Sequence, residues 1–168
     1  MSNRKLTLLS PKLGELLVKQ LGHELKNYNL YMSFANFFAI EGITKLEEYY
    51  KKRATEELDH HEWIMKFLTD ADYSFMYPSI EKNTEIPTDI VFPFKATVDR
   101  EIQTTQLIYH IYEEAISEKD YMTASWLYEK LIKEQIEEEN TSRMALTLIE
   151  EESSTIFEKS CQILSLLS

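Results

Sequence analysis

Residues that interrupt helices are scarce in this chain, and that scarcity constrains its fold more than any other feature. Only 3 Gly and 4 Pro occur among its 168 residues, and they are clustered. Because Gly and Pro are the strongest local breaks in an α-helix, we expect long, uninterrupted helices. A hydrophobic fraction of 43% and a charged fraction of 28% are typical of a globular protein of this length. The sequence therefore predicts one all-α domain over residues 1–168.

Helix-start signals divide the chain into four long helices and one short helix. Ser10-Pro11 is typical of a helix start, and Thr44 with Glu47 has the spacing of a capping box. The same capping-box spacing recurs at residues 155 and 158 and indicates a short last helix. The predicted helices cover residues 11–40, 44–71, 93–117 and 120–149, followed by the short helix after residue 155.

The lengths of the connections predict how these helices are arranged. Helices one and two, like helices three and four, are joined by only a few residues, so each pair should form an antiparallel hairpin. The connector 72–92 can extend to roughly 60–70 Å, whereas a 28-residue helix is only about 42 Å long. It can therefore run the whole length of the bundle and leave helices two and three parallel. The sequence predicts a four-helix bundle with one long crossover.

Each helix carries an apolar seam, and each seam is interrupted by an acid. The interrupting residues are Glu24, Glu57, Glu101 and, together on the fourth helix, Gln135 and Glu138. Counted from the shared turns at 1.5 Å per residue, their heights agree within about 2–6 Å. The predicted seam of the first helix is Leu17, Leu21, Glu24, Tyr28, Tyr31, Ala35 and Phe38. The predicted seam of the third helix is Phe94, Val98, Glu101, Thr105, Ile108, Tyr112 and Ala115. The acids should form one layer near mid-bundle.

A layer of buried carboxylates needs positive charge. A lone buried carboxylate costs several kcal/mol, and neighbouring carboxylates repel each other and take up protons. Divalent cations supply the missing charge. Glu57 and His60 have the i, i+3 spacing that places a carboxylate and an imidazole on one helical face. The fourth helix offers Gln135 and Glu138 instead, so we predict two metal ions, one of them bound more weakly and asymmetrically.

The alternative is a polar core without metal. On their own, Glu56, Glu137 and Glu139 are typical of solvated helix faces. The remaining histidines, His23, His61 and His110, are typical of structural or surface positions. What favours metal is that all four seams are interrupted at the same level.

Charge and cysteine content predict the compartment and exclude some partners. The net charge is −11 and no basic patch is present, so we expect no nucleic-acid partner. The single Cys161 cannot form an internal disulfide, which is typical of a reducing compartment. The first ten residues have too short an apolar run for a signal peptide, and no stretch approaches a membrane span. We expect a cytoplasmic protein with no membrane partner.

Four segments resemble the bacterial non-haem ferritins, and the resemblance covers roughly residues 10–150. The segments are Gln20-Leu-Gly-His-Glu24, Tyr31 seven residues later, Ala54-Thr-Glu-Glu57-Leu-Asp-His60 and Lys133-Glu-Gln135-Ile-Glu-Glu-Glu139. The resemblance implies an all-α, ferritin-like four-helix bundle with one long crossover and a short fifth C-terminal helix.

The resemblance also implies a ligand set. Glu24, Glu57 and His60 would bind one iron, with Glu57 bridging to a second iron that Glu101 holds and Gln135 contacts. Tyr31 matches a tyrosine beside the centre that is thought to donate an electron. A third, weaker iron site is implied by matching position at Glu56, Glu134, Glu137 and Glu138.

The implied activity is that of a ferroxidase in an iron store. The family assembles shells of twenty-four subunits, oxidises Fe(II) with dioxygen or peroxide, and deposits a ferric mineral inside. Gln135 and the missing second Glu-x-x-His differ from bacterioferritin, so no haem is expected. Against the family pattern, the fourth helix has one extra residue before Glu134, and the tail beyond residue 150 matches poorly.

Three other functions remain open from the sequence. A different di-iron enzyme on the same bundle would need an open substrate pocket beside the metals. A shell with an inert centre would lack part of the ligand set. A DNA-protecting mini-ferritin would use a different His/Asp pattern, which is absent here. Ligand spacing alone also allows Zn or Mn.

Overall fold

The computed structural model describes residues 8–168, and the part of the signal-peptide expectation that falls on residues 1–7 lies outside the described residues. Within 8–168 every regular element is helical, as predicted. The helices are α1 (Pro11–Ile40), α2 (Thr44–Asp70), α3 (Phe92–Ser117), α4 (Tyr121–Leu127), α5 (Lys133–Glu150) and α6 (Ile156–Ser165). A π-helical turn, Tyr128–Ile132, joins α4 to α5, and the three together form the fourth helix of the bundle.

Side-chain caps explain several helix starts. Ser10 accepts a hydrogen bond from the Leu13 N–H at 3.1 Å, and the Asp120 carboxylate accepts one from the Thr123 N–H at 3.0 Å. At α6, Thr155 forms the predicted capping box. Each bond satisfies a backbone donor that the first helical turn leaves free.

The capping box predicted at Thr44 is wrong. The N-cap of α2 is Ile43, and no side chain caps this helix. The chain turns through Gly42, whose φ of 73° is in the left-handed region, and the helix begins immediately afterwards. The Ile43 carbonyl then accepts from the Leu46 and Glu47 N–H groups at 3.0 and 3.1 Å, so Thr44 is already inside the helix.

The connector crosses the bundle from end to end. Just after α2, the Tyr73 ring lies so close to Gly14 that a Cβ there would come within 2.1 Å of it, which is why α1 carries a glycine at this point. Further along, Pro78 contacts Gly22. At its far end, the ring of Phe94 packs 6.1 Å from that of Tyr49. Since both residues lie near the starts of their helices, α2 and α3 are parallel, as predicted.

Two apolar clusters fill the two ends of the bundle and leave its middle polar. The first cluster includes Leu17, Leu21, Ile64, Leu68, Ile108 and Leu131. The second cluster includes Tyr31, Phe34, Phe38, Tyr50, Phe94 and Ile163. The last of these belongs to α6, which packs on α2 and α5. The described helices contain no stretch that is long and apolar enough to cross a membrane.

Two seams differ from the prediction by one residue. On α3 the buried positions include Thr97, Thr104 and Ile111, while Val98, Thr105 and Tyr112 are only half-buried. The two threonines tolerate burial because their hydroxyls donate to the carbonyls of Pro93 and Arg100, at 2.8 and 3.0 Å. On α1, Asn27 is buried and Tyr28 is half-buried. Apolarity alone therefore selects the wrong face wherever a polar side chain finds a partner.

Truncating Phe38 should destabilise the fold. Its ring is fully buried and stacks on Tyr50 at 5.5 Å, so Phe38→Ala removes packing and leaves a cavity worth about 3–5 kcal/mol. Phe38→Leu keeps most of the volume and should cost only about 1–2 kcal/mol. Thermal unfolding of the two variants at equal protein concentration measures the difference. Equal unfolding midpoints in both variants would contradict the packing argument.

Candidate metal centre

The polar middle of the bundle brings together three candidate metal ligands from α1 and α2. One ligand atom from each of Glu24, Glu57 and His60 lies within 4.8 Å of the other two, and all three residues are buried. Glu57 and His60 share a face of α2, one helical turn apart, and Glu24 meets them from the facing helix. The i, i+3 spacing on α2 therefore acts as the sequence predicts.

Amide side chains hold these carboxylates in place. Gln20 donates to Glu24 at 2.7 Å. Asn27 donates to Glu57 at 3.3 Å and to the Thr104 hydroxyl at 3.2 Å, which ties the pair of helices to α3. Such neighbouring donors fix the orientation of ligands before a metal arrives. Asn27 was not among the predicted site residues, although it lies three residues after Glu24 and so on the same face of α1.

Burial strongly perturbs the protonation of the three ligands. Desolvation raises the pKa of Glu24 to about 7 and that of Glu57 well above its ordinary value; nearby Glu101 also raises the latter. Desolvation lowers the pKa of His60 to about 4. At neutral pH the imidazole is therefore uncharged and able to bind a metal. Glu57 retains its proton, Glu24 is protonated in part, and a cation would displace these protons.

Glu101 lies on the other side of the layer and is fully engaged. The Tyr31 hydroxyl and the guanidinium of Arg53 both donate to its Oε1, and Gln135 donates to its Oε2 at 2.8 Å. The structure thus brings Tyr31, Glu101 and Gln135 together, as the resemblance implies. It does not bring Glu101 into the group formed by the three ligands above.

The acids implied for a third site are divided between the interior and the surface. Glu138 is buried, with its Oε1 3.7 Å from His60 Nε2, and Glu56 is half-buried. Burial raises the pKa of Glu56 and of Glu138. Glu134 and Glu137 are exposed. Glu138 and Glu56 thus border the centre, while the other two extend the acidic surface outward along α5.

Arg53 is a second residue of this layer that was not predicted from the sequence. It lies one helical turn before Glu57 and is 1% exposed. Its guanidinium contacts Glu101, Glu56 at 3.0 Å and Glu138 at 3.6 Å. The signal was its i, i+4 spacing from Glu57, which places both on one face of α2. Arginine is so often a solvated residue that the spacing alone did not stand out.

Buried acceptors without a donor test whether the site suits a cation. Within residues 8–168 these include Glu57 Oε1, Gln135 Oε1 and Glu138 Oε2. All three belong to the layer, and a buried acceptor left unpaired costs roughly 1–3 kcal/mol. A metal ion would satisfy such oxygens, and carboxylate, amide and imidazole donors suit iron, zinc or manganese. The residues present therefore fit a metal centre.

The π-helical turn sets the register of the fourth helix. An extra residue in an α-helix would rotate everything after it by about 100°. The turn at Tyr128–Ile132 absorbs this rotation, so Leu127 and Leu131 face the first apolar cluster while Gln135 and Glu138 face the centre. A turn of this kind can accommodate one additional residue, such as the one that the resemblance indicated before Glu134.

The other histidines have structural or surface positions. His61 contacts the Leu21 carbonyl at 3.2 Å and the Tyr77 hydroxyl at 2.9 Å, which ties the connector to α1 and α2. His23 contacts Thr104 at 2.8 Å, and burial lowers its pKa to about 4. His110 is exposed. None of them belongs to the three-residue group.

Fold and site together define a four-helix bundle with a buried layer of carboxylates at mid-length, and comparison with known proteins agrees on the class. The ferritin-like domain family matches residues 14–151. A bacterial non-heme ferritin of Bacteroides fragilis is 30% identical over 142 residues, which cover 81% of this chain and 85% of that protein. The Staphylococcus aureus protein of the same name is 28% identical over 153 residues, or 89% of this chain and 92% of its own.

A solved structure agrees on the fold. An open-pore ferritin from the archaeon Archaeoglobus fulgidus superposes with a TM-score of 0.86 at 24% identity, covering 93% of this chain and 98% of that one. The chain belongs to the ferritin family, and the resemblance drawn from its sequence is confirmed.

The raised pKa of Glu24 predicts how the metal-free protein responds to pH. Between its ordinary value of 4.5 and about 7, the folded state keeps a proton that the unfolded state has lost. Stability should therefore fall as pH rises through this window, by about 3 kcal/mol for this group. The lowered pKa values of His23 and His60 make stability rise with pH over part of the same range, so the contribution of Glu24 is the difference between wild type and a Glu24 variant. Thermal unfolding of both in a chelator, from about pH 5 to about pH 8, measures that difference.

Two variants isolate this contribution. Glu24→Gln removes the titrating group and should flatten the decrease. Glu15→Gln, at an exposed position of the same helix, should leave the decrease unchanged. Equal slopes in wild type and Glu24→Gln would contradict the assignment.

Proposed function

We propose that this protein is an iron-storage ferritin subunit whose buried centre oxidises Fe(II) to Fe(III). The observation that carries the proposal is the buried group Glu24, Glu57 and His60 at mid-length of a bundle of the ferritin family. Carboxylate oxygens are hard ligands that suit iron and favour the ferric product. The chemistry of the ligands thus supports an oxidation that converts a soluble substrate into one ready to mineralise.

Five residues are proposed to hold a pair of iron substrates. Glu24, Glu57 and His60 bind the first Fe(II), and Glu57 bridges to the second, which Glu101 and Gln135 hold from the far side. Two Fe(II) ions lose one electron each. Dioxygen takes up these two electrons and two protons to give hydrogen peroxide, and peroxide taken as oxidant gives two waters. The protein's part is to fix the geometry and exclude other water.

Tyr31 is proposed as an auxiliary electron donor. Its hydroxyl donates to Glu101, a ligand of the second iron in this proposal, and its ring is fully buried. Burial, and next the charge of Glu101, raise the pKa of Tyr31 well above its ordinary value. The phenol therefore keeps its proton at neutral pH, and an electron leaving it can be followed by that proton along the hydrogen bond to Glu101.

A third iron position is proposed at Glu56, Glu134, Glu137 and Glu138. The first and last of these border the centre, and the other two are exposed. An acidic side that opens to solvent is suited to passing iron between the centre and the outside, since cations concentrate beside negative charge. Binding here should be weaker than at the buried ligands because exposed carboxylates compete with water for the metal.

The di-iron enzyme alternative requires a substrate pocket beside the metal ligands. A groove of about 220 Å³ between α3 and α5 reaches Gln135. Glu24, Glu57 and His60 do not line it. No feature of this groove favours an organic substrate over the storage function.

Removing the shared ligand should abolish rapid oxidation. Glu57→Ala takes away the carboxylate that both irons are proposed to use, so fast Fe(II) oxidation, followed by ferric absorbance after aerobic mixing, should be lost. Glu62→Ala, an exposed acid on the same helix, serves as the matched control and should oxidise at the wild-type rate. Wild-type kinetics in Glu57→Ala would rule out this site.

Assembly and capacity test the storage part. We propose a cytoplasmic homo-oligomer of twenty-four subunits, and with 19.9 kDa per chain such a shell should elute near about 480 kDa on size exclusion. Loaded aerobically, it should retain far more iron than three ions per subunit. A small oligomer that retains about two irons per subunit would instead favour an enzyme that does not store iron.

A further inference from the structure

A buried arginine shares the carboxylates that the second and third irons are proposed to use. Arg53 is almost fully buried, and its partners come from three helices: Glu56 on α2, Glu101 on α3 and Glu138 on α5. Removing a guanidinium from water costs several kcal/mol unless its charge is compensated. Here it is compensated by acids proposed as ligands of the centre.

The contacts divide the layer into two unequal halves. On one side, Glu24, Glu57 and His60 converge, and no lysine or arginine within residues 8–168 forms an ion pair with either carboxylate. On the other side, Tyr31 and Arg53 occupy Oε1 of Glu101, and Gln135 occupies its Oε2. The donors in the first half are the neutral amides of Gln20 and Asn27, and Glu57 Oε1 has none within residues 8–168. In the second half both oxygens of Glu101 have donors, and one of these donors is a cation.

Electrostatic repulsion prevents Arg53 and a metal ion from binding Glu101 at the same time. A divalent ion held by Glu101 would lie next to the guanidinium bound to the same carboxylate. At such distances, in a buried site, like charges repel by several kcal/mol. A second metal can therefore bind well only after Arg53 leaves Glu101, and Glu56 on the half-buried side offers the guanidinium a partner to retain.

We propose that Arg53 is a built-in cation at the second metal position. It makes the resting centre a one-metal site and lets a second divalent ion bind only as the guanidinium withdraws from Glu101. This inference rests on the proposed function and sharpens it. The two irons enter in sequence and with different affinities, and Arg53 sets the difference.

The test is an anaerobic titration of the metal-free protein with Co²⁺, whose visible absorption reports binding by oxygen and nitrogen ligands. Wild type should take up one equivalent per subunit at the centre, with the second bound at least about tenfold more weakly. Co²⁺ that still binds to Glu57→Ala is bound outside the centre, and this amount is subtracted from the wild-type titration. Arg53→Gln removes the charge and should bring the second equivalent to within a few-fold of the first.

Two further variants separate charge from other effects. Arg53→Lys keeps a positive charge and should retain the one-metal stoichiometry. Arg143→Gln removes the same charge from an exposed ion pair with Glu139 and should titrate like wild type. Thermal unfolding adds a readout that does not require metal turnover. Metal-free Arg53→Gln should melt below metal-free wild type and should gain more from added Co²⁺.

The outcomes distinguish a failure of the Arg53 proposal from a failure of the proposed iron-storage function. Two equivalents of equal affinity in wild type, in a protein that still stores iron, would overturn the role of Arg53 alone. This wild-type result decides even if Arg53→Gln fails to fold. A wild type that titrates like Glu57→Ala and stores no iron would overturn the proposed function as well.

Discussion

Carboxylates crowded into a dry interior repel each other, and the middle of this bundle is organised around that repulsion. Glu24, Glu57, Glu101 and Glu138 are all buried within one layer. Apolar clusters on both sides keep water out and hold the four helices at fixed separations. The charges are balanced in three ways: protons retained on carboxyls with raised pKa values, amide and hydroxyl donors, and the guanidinium of Arg53. Buried oxygens of Glu57 and Glu138 still have no donor within residues 8–168, and a metal ion bound in the layer would satisfy them.

The two sides of the layer resolve the same problem differently. Near α1 and α2, amides from Gln20 and Asn27 orient the acids and leave space for a cation. Near α3 and α5, an arginine and a phenol already meet Glu101. The asymmetry that the sequence suggested at Gln135 is therefore larger than a single amide substitution. Its main source is Arg53 on α2, one helical turn before Glu57.

Much of the fold followed from the sequence because it rests on periodicity and on connection lengths. The four helices, the crossover and the interrupting acids all depend on repeated patterns, which a single sequence displays. The failures share another cause. Thr97, Thr104 and Asn27 are buried because each found a specific partner, and the start of α2 depends on the backbone at Gly42. Arg53 was missed because pairing between helices is invisible along one chain.

The π-helical turn in the fourth helix also affects how this chain can be compared with its relatives. The apolar face of the helix points into the core both before and after Tyr128–Ile132. The π-helical turn between them contains one residue more than an α-helical turn would. Against a relative whose fourth helix is α-helical throughout, an alignment without a gap would match either Leu127 or Gln135 to its structural counterpart, but not both. Transfer of functional residues from a relative is therefore safe only when it is anchored separately on each side of the turn. A structural superposition provides that anchor, and identities near 30% do not.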